Sequence, residues 1–280
     1  MRPDSNRYRH PHNSWLGRAA AGLANSPALA RLRRGIMSHL PFLKLESDVR
    51  DVVYLTWLID AAAAEKLIPA GVSLWQCEGK TLFTVLTYRH GHFGPAFLGP
   101  LRRLFPSPLQ SNWRFYLGPD EGTVFFVKNV MNSFVHALGT RLFSDVLQTH
   151  LAAEFTHSGD GGRFESLISP GQGSSPSLGC VAELDGGRQL PANFSGLFDD
   201  WDHAVKFLAI QHKAIALDGR GSRQAESEIS LPIDLAQVMP LRASAEQVYC
   251  SLLDHLKPLG APFCFMVPSV KFGVLSERLL

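Results

Sequence analysis

From residue 42 onward the chain keeps returning to short β-branched and aromatic runs divided by glycine, proline and aspartate turns, most of them too close together for a helix to intervene. That rhythm excludes a βαβ fold, whose parallel strands need crossovers of a dozen or more residues. Residues 52–59 (VVYLTWLI) read as a buried strand, after which Asp60 caps a short helix over 61–67 that ends at Pro69-Ala70-Gly71. Residues 74–77 and 81–88 flank Glu78-Gly79-Lys80 as a hairpin, and 111–117 and 123–131 flank Gly118-Pro119-Asp120-Glu121-Gly122 as another. A further hairpin joins 150–156 to 163–167 across Gly159-Asp160-Gly161-Gly162. Strands over 178–184, 212–217, 227–231, 263–267 and 272–275 complete the set.

Helical signals are fewer. Asn132-Ser133 opens an apolar-periodic helix to residue 147, Asp199-Asp200 caps one over 201–210, and 235–239 is a short one. Residues 244–256 read as a helix, with a strand as the alternative. The architecture expected is therefore mainly β (α+β): an antiparallel barrel or strongly curved sheet with peripheral helices. A barrel of about eight strands encloses space for one small ligand. Residues 89–108, punctuated by Gly91, Gly94, Pro95, Gly99, Pro100 and Pro106, are long for a simple connection and are expected to cover a pocket.

The first 40 residues are different in kind. They hold seven arginines, no lysine and only Asp4 as an acid, whereas the remainder carries 20 basic and 24 acidic residues. Helices are expected over 15–23, capped at Asn13-Ser14, and over 27–37, with Pro27 at the first helical position. Residues 1–40 are accordingly read as a basic helical extension that packs on the body or on a partner, and 41–280 as a single barrel domain. The acidic balance of the body excludes a nucleic-acid-binding surface there. No apolar run approaches 18 residues, so no integral membrane association is expected. Cys77, Cys180, Cys250 and Cys264 are dispersed without a CxxC pair, which suits a reducing compartment, and no secretory leader is evident; the expected location is cytoplasmic.

The block from 42 to 89, FLKLESDVRDVVYLTWLIDAAAAEKLIPAGVSLWQCEGKTLFTVLTYR, resembles the opening of the YqjF-like family of uncharacterised proteins, with its strand, short helix, proline- and glycine-containing turn and hairpin. The later SNWRFYL and FLAIQHKAIAL resemble two further blocks of that family, and the likeness covers about residues 41–275. The family is similar to the acetoacetate-decarboxylase-like superfamily. That resemblance implies a cone-like antiparallel barrel around an interior cavity.

Decarboxylases of the similar superfamily use an interior lysine that forms a Schiff base with a β-keto acid, which makes Lys128 in TVFFVKNVM the candidate catalytic residue. Strand alternation sets Lys128 on one face with Val124, Phe126 and Val130. Asn129 follows it, however, and the Pro-Lys-Lys character of the decarboxylase motif is missing. Candidate ligand-binding residues are Arg114, with Asn112 and Tyr116 at alternate positions of the same strand face, where a guanidinium can grip a carboxylate through two directed hydrogen bonds. His90 and His92 form a loop-borne polar pair at the cavity mouth; as metal ligands they would need a third from Glu154, His136 or His150, and no metal site is expected.

Neither a dinucleotide nor a phosphate-loop motif is present, nothing calls for a cofactor, and no base–orienter pair accompanies Ser133, Ser144 or Cys180. The residues point to a barrel holding a small apolar or carboxylate-bearing molecule, and leave open whether it is an enzyme. A Schiff-base lyase using Lys128 is one alternative. A non-catalytic interaction scaffold docking through its N-terminal helices is another, and a homodimer is the commonest closed assembly.

Overall fold

The computed structural model describes residues 6–118 and 121–280. Pro119 and Asp120 of the second expected turn, and Arg2 and Asp4 of the arm, lie outside the described residues. In chain order the strands are β1 (Leu45–Asp60), β2 (Lys80–Arg89), β3 (Gly94–Pro95), β4 (Leu109–Tyr116), β5 (Thr123–Met131), β6 (Thr149–Leu151) and β7 (Glu154–Asp160). They continue as β8 (Arg163–Ser169), β9 (Leu178–Leu184), β10 (Lys213–Leu217), β11 (Gln224–Ser230), β12 (Met239–Arg242), β13 (Val248–Cys250) and β14 (Phe263–Leu279). The helices are α1 (Trp15–Ala24), α2 (Pro27–Met37), α3 (Ala61–Glu65), α4 (Phe134–Phe143), α5 (Trp201–Ala209) and α6 (Leu253–Leu256).

Seven strands, β1-β2-β4-β5-β10-β11-β14, form a closed ring because β14 pairs back onto β1. All these pairs are antiparallel except β5–β10, so the barrel is mixed rather than purely antiparallel. β14 then continues into a second layer, β12-β9-β8-β7, with β13 paired on β9. Period-2 alternation divides the barrel strands between two apolar clusters. Trp57, Phe83, Trp113 and Phe115 point outward against Phe155, Phe164, Ile168 and Leu178 of the second layer. Tyr54, Leu58, Leu86, Tyr116 and Phe265 point inward, where α5 meets them with Trp201, Val205 and Leu208.

Two bulges modify that alternation. At Asp51, with φ at 53°, the β1–β2 register shifts between Arg50 and Val53, so Val49 and Val52 both face the interior. In β5 the register shifts opposite Trp113 and Arg114: Arg114 pairs with Phe126 but Trp113 pairs with Lys128, leaving Val127 as the extra residue. The simple alternation expected for Lys128 fails at this point.

The local expectations for the arm hold: Ser14 and Ser26 cap α1 and α2 by accepting from the Gly17 and Leu29 amides, at 3.0 and 3.3 Å. α2 is tied to the body by Arg34, which reaches Asp145 at 2.7 Å and Asp218 at 2.9 Å. Elsewhere the structure corrects the sequence reading. Residues 263–267 and 272–275 belong to one strand of 17 residues, sustained by pairing with β1, β11 and β12 in turn. Residues 74–77 form no strand; Leu74 and Cys77 make only isolated bridges. The helix expected over 244–256 is broken into a 3-10 turn, β13 and α6, because Val248–Cys250 is recruited to the edge of β9.

Candidate functional site: the barrel cavity

The closed ring leaves a cavity of about 50 Å³ inside, room for a few water molecules or one small organic molecule. Its lining is apolar over most of its extent, with Val52, Leu86, Ala214 and Val270 among the walls. One patch is polar: Arg114, Asn112 and Gln110 from β4, with Tyr88 from β2 and Tyr54 from β1. Period 2 in QSNWRFY puts Gln110, Asn112, Arg114 and Tyr116 on one strand face, and closure of the ring turns that face inward. The polar patch is the deep end, since Arg114 is only 3% exposed. The half-buried Phe126, Ile229, Leu231 and Phe272 mark the end nearer solvent.

Arg114 is held by three aromatic or carbonyl neighbours. Its Nη2 donates to the Leu208 carbonyl at 2.8 Å, in the last turn of α5, where the helix dipole presents partial negative charge. Its guanidinium lies 5.6 Å from the Tyr54 ring centre and 5.4 Å from that of Tyr116, both within cation–π range. Among the described residues no carboxylate pairs with it, and its buried Nε has no hydrogen-bond partner. A buried cation without a counter-charge is costly, by several kcal/mol even after relaxation. The Arg114 guanidinium is thus a buried cation with no acidic partner among the described residues.

Around the guanidinium the other groups are neutral donors and acceptors. The Tyr88 hydroxyl donates to Asn112 Oδ1 at 2.6 Å, and Asn112 Nδ2 donates to Asn129. The Tyr116 hydroxyl donates to the Leu208 carbonyl at 3.0 Å and meets Thr84 Oγ1 at 3.1 Å, which places Tyr116 beneath Arg114 rather than against the cavity. Burial pushes the Tyr54 phenol up to about 12 and the Tyr88 phenol higher still, so both remain protonated donors at neutral pH.

His90 and His92 part company. His90, 1% exposed, bonds Gln110 Oε1 at 2.7 Å and Ser47 Oγ at 2.8 Å, and stacks on Phe93 with ring centres 4.5 Å apart. It therefore stands behind the cavity wall, orienting Gln110; burial lowers its pKa to about 4. His92 sits in a left-handed turn at φ 56° that ends the strand geometry, and it does not line the cavity. Neither histidine lines the cavity, so the two do not form the polar pair expected at its mouth. Among the described residues no group of three His, Cys, Asp or Glu side chains is arranged to hold a metal ion.

Lys128 is not in the cavity lining either. The β5 bulge sets it opposite Trp113, whose side chain points out of the barrel, and its amine lies 3.3 Å from His150 Nε2. His150 Nδ1 in turn meets Ser174 Oγ at 2.7 Å. Burial, then the charges of Arg141 and Arg9, push the Lys128 amine down to about 7.

Sequence reasoning missed Tyr54, Tyr88 and Gln110 as cavity groups, and the Leu208 carbonyl as the support of Arg114. Gln110 was accessible by extending the period-2 face one step before Asn112. The tyrosines are indistinguishable in sequence from ordinary core aromatics. The expectation that 89–108 covers a pocket is met at one point, where Phe93 joins the lining.

No family model matches the chain, and no curated protein matches it. Solved structures do. The enduracididine biosynthesis enzyme MppR, complexed with the condensation product of pyruvate and imidazole 4-carboxaldehyde, superposes with a TM-score of 0.55 at 10% identity over 86% of this chain and 90% of that one. An acetoacetate decarboxylase-like enzyme from Sphingomonas wittichii RW1 gives 0.54 at 11% identity over 86% and 94%. Acetoacetate decarboxylase from Legionella pneumophila gives 0.50 at 9% identity over 84% and 86%. At such identities the likeness is one of architecture, and the chain has the acetoacetate-decarboxylase-like fold.

Proposed function

We propose that the barrel binds one small organic molecule bearing a carboxylate, with the carboxylate on Arg114 and the apolar remainder along Phe126, Ile229 and Phe272. The observation that carries this reading is the buried guanidinium on the cavity wall, lacking any acidic partner among the described residues and keeping an unpaired Nε. A charge-assisted hydrogen bond there is shorter and roughly twice as strong as a neutral one. The cavity volume of about 50 Å³ limits the ligand to a small acid. Within the fold, the 42–89 block with its Pro69-Ala70-Gly71 turn supports kinship with the YqjF-like family.

The test is a thermal-melt and ligand-observed NMR panel of acetate, propionate and small 2-oxo acids, each beside its primary amide. Carboxylates are expected to raise the melting temperature and the matching amides to leave it unchanged. A panel in which no acid binds, or in which amides bind as well, ends the proposal.

A second reading, Schiff-base chemistry, is favoured by one observation, the amine of Lys128 depressed to about 7. A partly neutral amine is nucleophilic at physiological pH. That amine lies outside the cavity, however, and a small acid held by Arg114 does not meet it. Incubation with pyruvate or acetoacetate followed by borohydride is therefore expected to leave the intact mass unchanged, and Lys128→Met to bind carboxylates as the parent does. A reduced adduct mapped to Lys128 would transfer the function to that site.

A further inference from the structure

The surface formed by the arm, α4 and the 96–105 segment presents large apolar side chains to solvent with arginines between them. Trp15 is 70% exposed, Leu16 61%, Phe97 76%, Leu104 83% and Val135 74%. Side-chain contacts link these segments into one side of the molecule. His10 lies against Gly17 of α1 and 5.8 Å from the Phe134 ring at the start of α4. His136, also in α4, stacks on Phe93 at 5.9 Å, and Gly94 packs on Phe105 at the end of the 3-10 segment Ala96–Leu104. Scattered exposed leucines need no explanation, but several aromatic and aliphatic side chains this exposed along connected segments do.

The charge of this side is predominantly positive. Residues 6–45, 79–118 and 122–144 contain no Asp or Glu. Arg18, Arg31 and Arg103 are exposed, and none of them has an ion pair among the described residues. The acids that do approach, Glu46 and Asp48, face the buried Arg102 at 3.5 and 3.9 Å. A second copy of the chain on a two-fold axis would set this basic surface against itself, which is repulsive. No helix among the described residues is long and apolar enough to cross a membrane. Arginine beside tryptophan, phenylalanine and leucine on a surface is instead what an anionic bilayer interface accepts: side chains enter the headgroup boundary while the guanidiniums meet lipid phosphates.

We infer that this side of the protein docks on anionic lipid membranes, with Trp15, Leu16, Phe97 and Leu104 inserted at the interface and Arg18, Arg31 and Arg103 on the headgroups.

Co-sedimentation of the full chain with phosphatidylglycerol–phosphatidylcholine vesicles, against pure phosphatidylcholine vesicles, tests this. Of the five tryptophans only Trp15 is exposed, so its emission should shift to the blue on the anionic vesicles, and Trp15→Phe should remove that shift. The variant Arg18→Gln/Arg31→Gln/Arg103→Gln is expected to weaken binding by about tenfold or more, and Phe97→Ser/Leu104→Ser to do the same while retaining the parent's far-ultraviolet spectrum and melting temperature. Failure to sediment, equal sedimentation with neutral vesicles, or unaltered binding by both variants overturns the inference. So does a dimer in vesicle-free solution that Phe97→Ser/Leu104→Ser converts to monomer, since a second copy would then be the occupant.

Discussion

Arg114→Met is expected to abolish carboxylate-induced stabilisation while leaving the ligand-free barrel close to parental stability. Two effects oppose each other in the unliganded protein. The Leu208 carbonyl, which receives both Arg114 and the Tyr116 hydroxyl, keeps the second partner when the first is removed. Against the lost hydrogen bond, of about 1.5–3 kcal/mol when a charged group is involved, stands relief from burying a cation without a counter-charge. Methionine is apolar, flexible and fills the same slot between the Tyr54 and Tyr116 rings. In the liganded protein the two effects do not cancel, because the anion loses the only charged side chain that the described residues place on the cavity wall. At a ligand concentration 100 times its Kd, the parent gains about 2.7 kcal/mol, which corresponds to several degrees of melting temperature in a chain of this size. The variant should gain none. A full ligand-induced shift in Arg114→Met would remove the guanidinium from the site.

Acidification from pH 7 to 4 is expected to cost about 3 kcal/mol of stability through His90 alone. The folded protein holds His90 neutral down to about 4, because burial disfavours the imidazolium, whereas the unfolded chain takes the proton at the ordinary 6.5. Between those values the unfolded state binds more protons, so stability falls as pH falls, beginning near 6.5 and ending near 4. His150, lowered well below 6.5 by burial and then by Lys128 and Arg141, and His157, lowered chiefly by burial, act in the same direction. Urea unfolding across this range should show the loss, and His90→Gln should flatten its slope. NMR titration of the His90 ring supplies the direct check: a midpoint near 6.5 in the folded protein would refute the assignment. Because His90 holds Gln110 at 2.7 Å, the same protonation should loosen the cavity wall before the barrel opens.

Much of the local structure was legible. Serine caps and Pro27 located α1 and α2, Asp200 located α5 by accepting from the His203 amide at 2.7 Å, and the run at 178–184 is strand β9 as it stands. These signals concern neighbours within a few residues, where capping and turn chemistry act. The polar face of β4 was legible for the same reason: alternation in an unbulged strand is obligatory, so Asn112 and Arg114 had to share a face. Lys128 shows where this reasoning stops. A single extra residue at Val127 sends it to the other side of the sheet, and a bulge reflects how two strands must twist against each other rather than any residue in VKNVM.

What the chain decided locally was a set of strands, turns and caps, together with an arginine on a polar strand face. Only the tertiary structure determined that β14 returns to β1, that the ring encloses the Arg114 face and leaves Lys128 outside, and that the last turn of α5 supplies the carbonyl beneath the guanidinium. The physical reason is range. Hydrogen bonding and side-chain alternation within a strand act over a few residues, whereas closure, bulge placement and burial of a charge depend on groups such as Arg114 and Leu208 that are 94 positions apart.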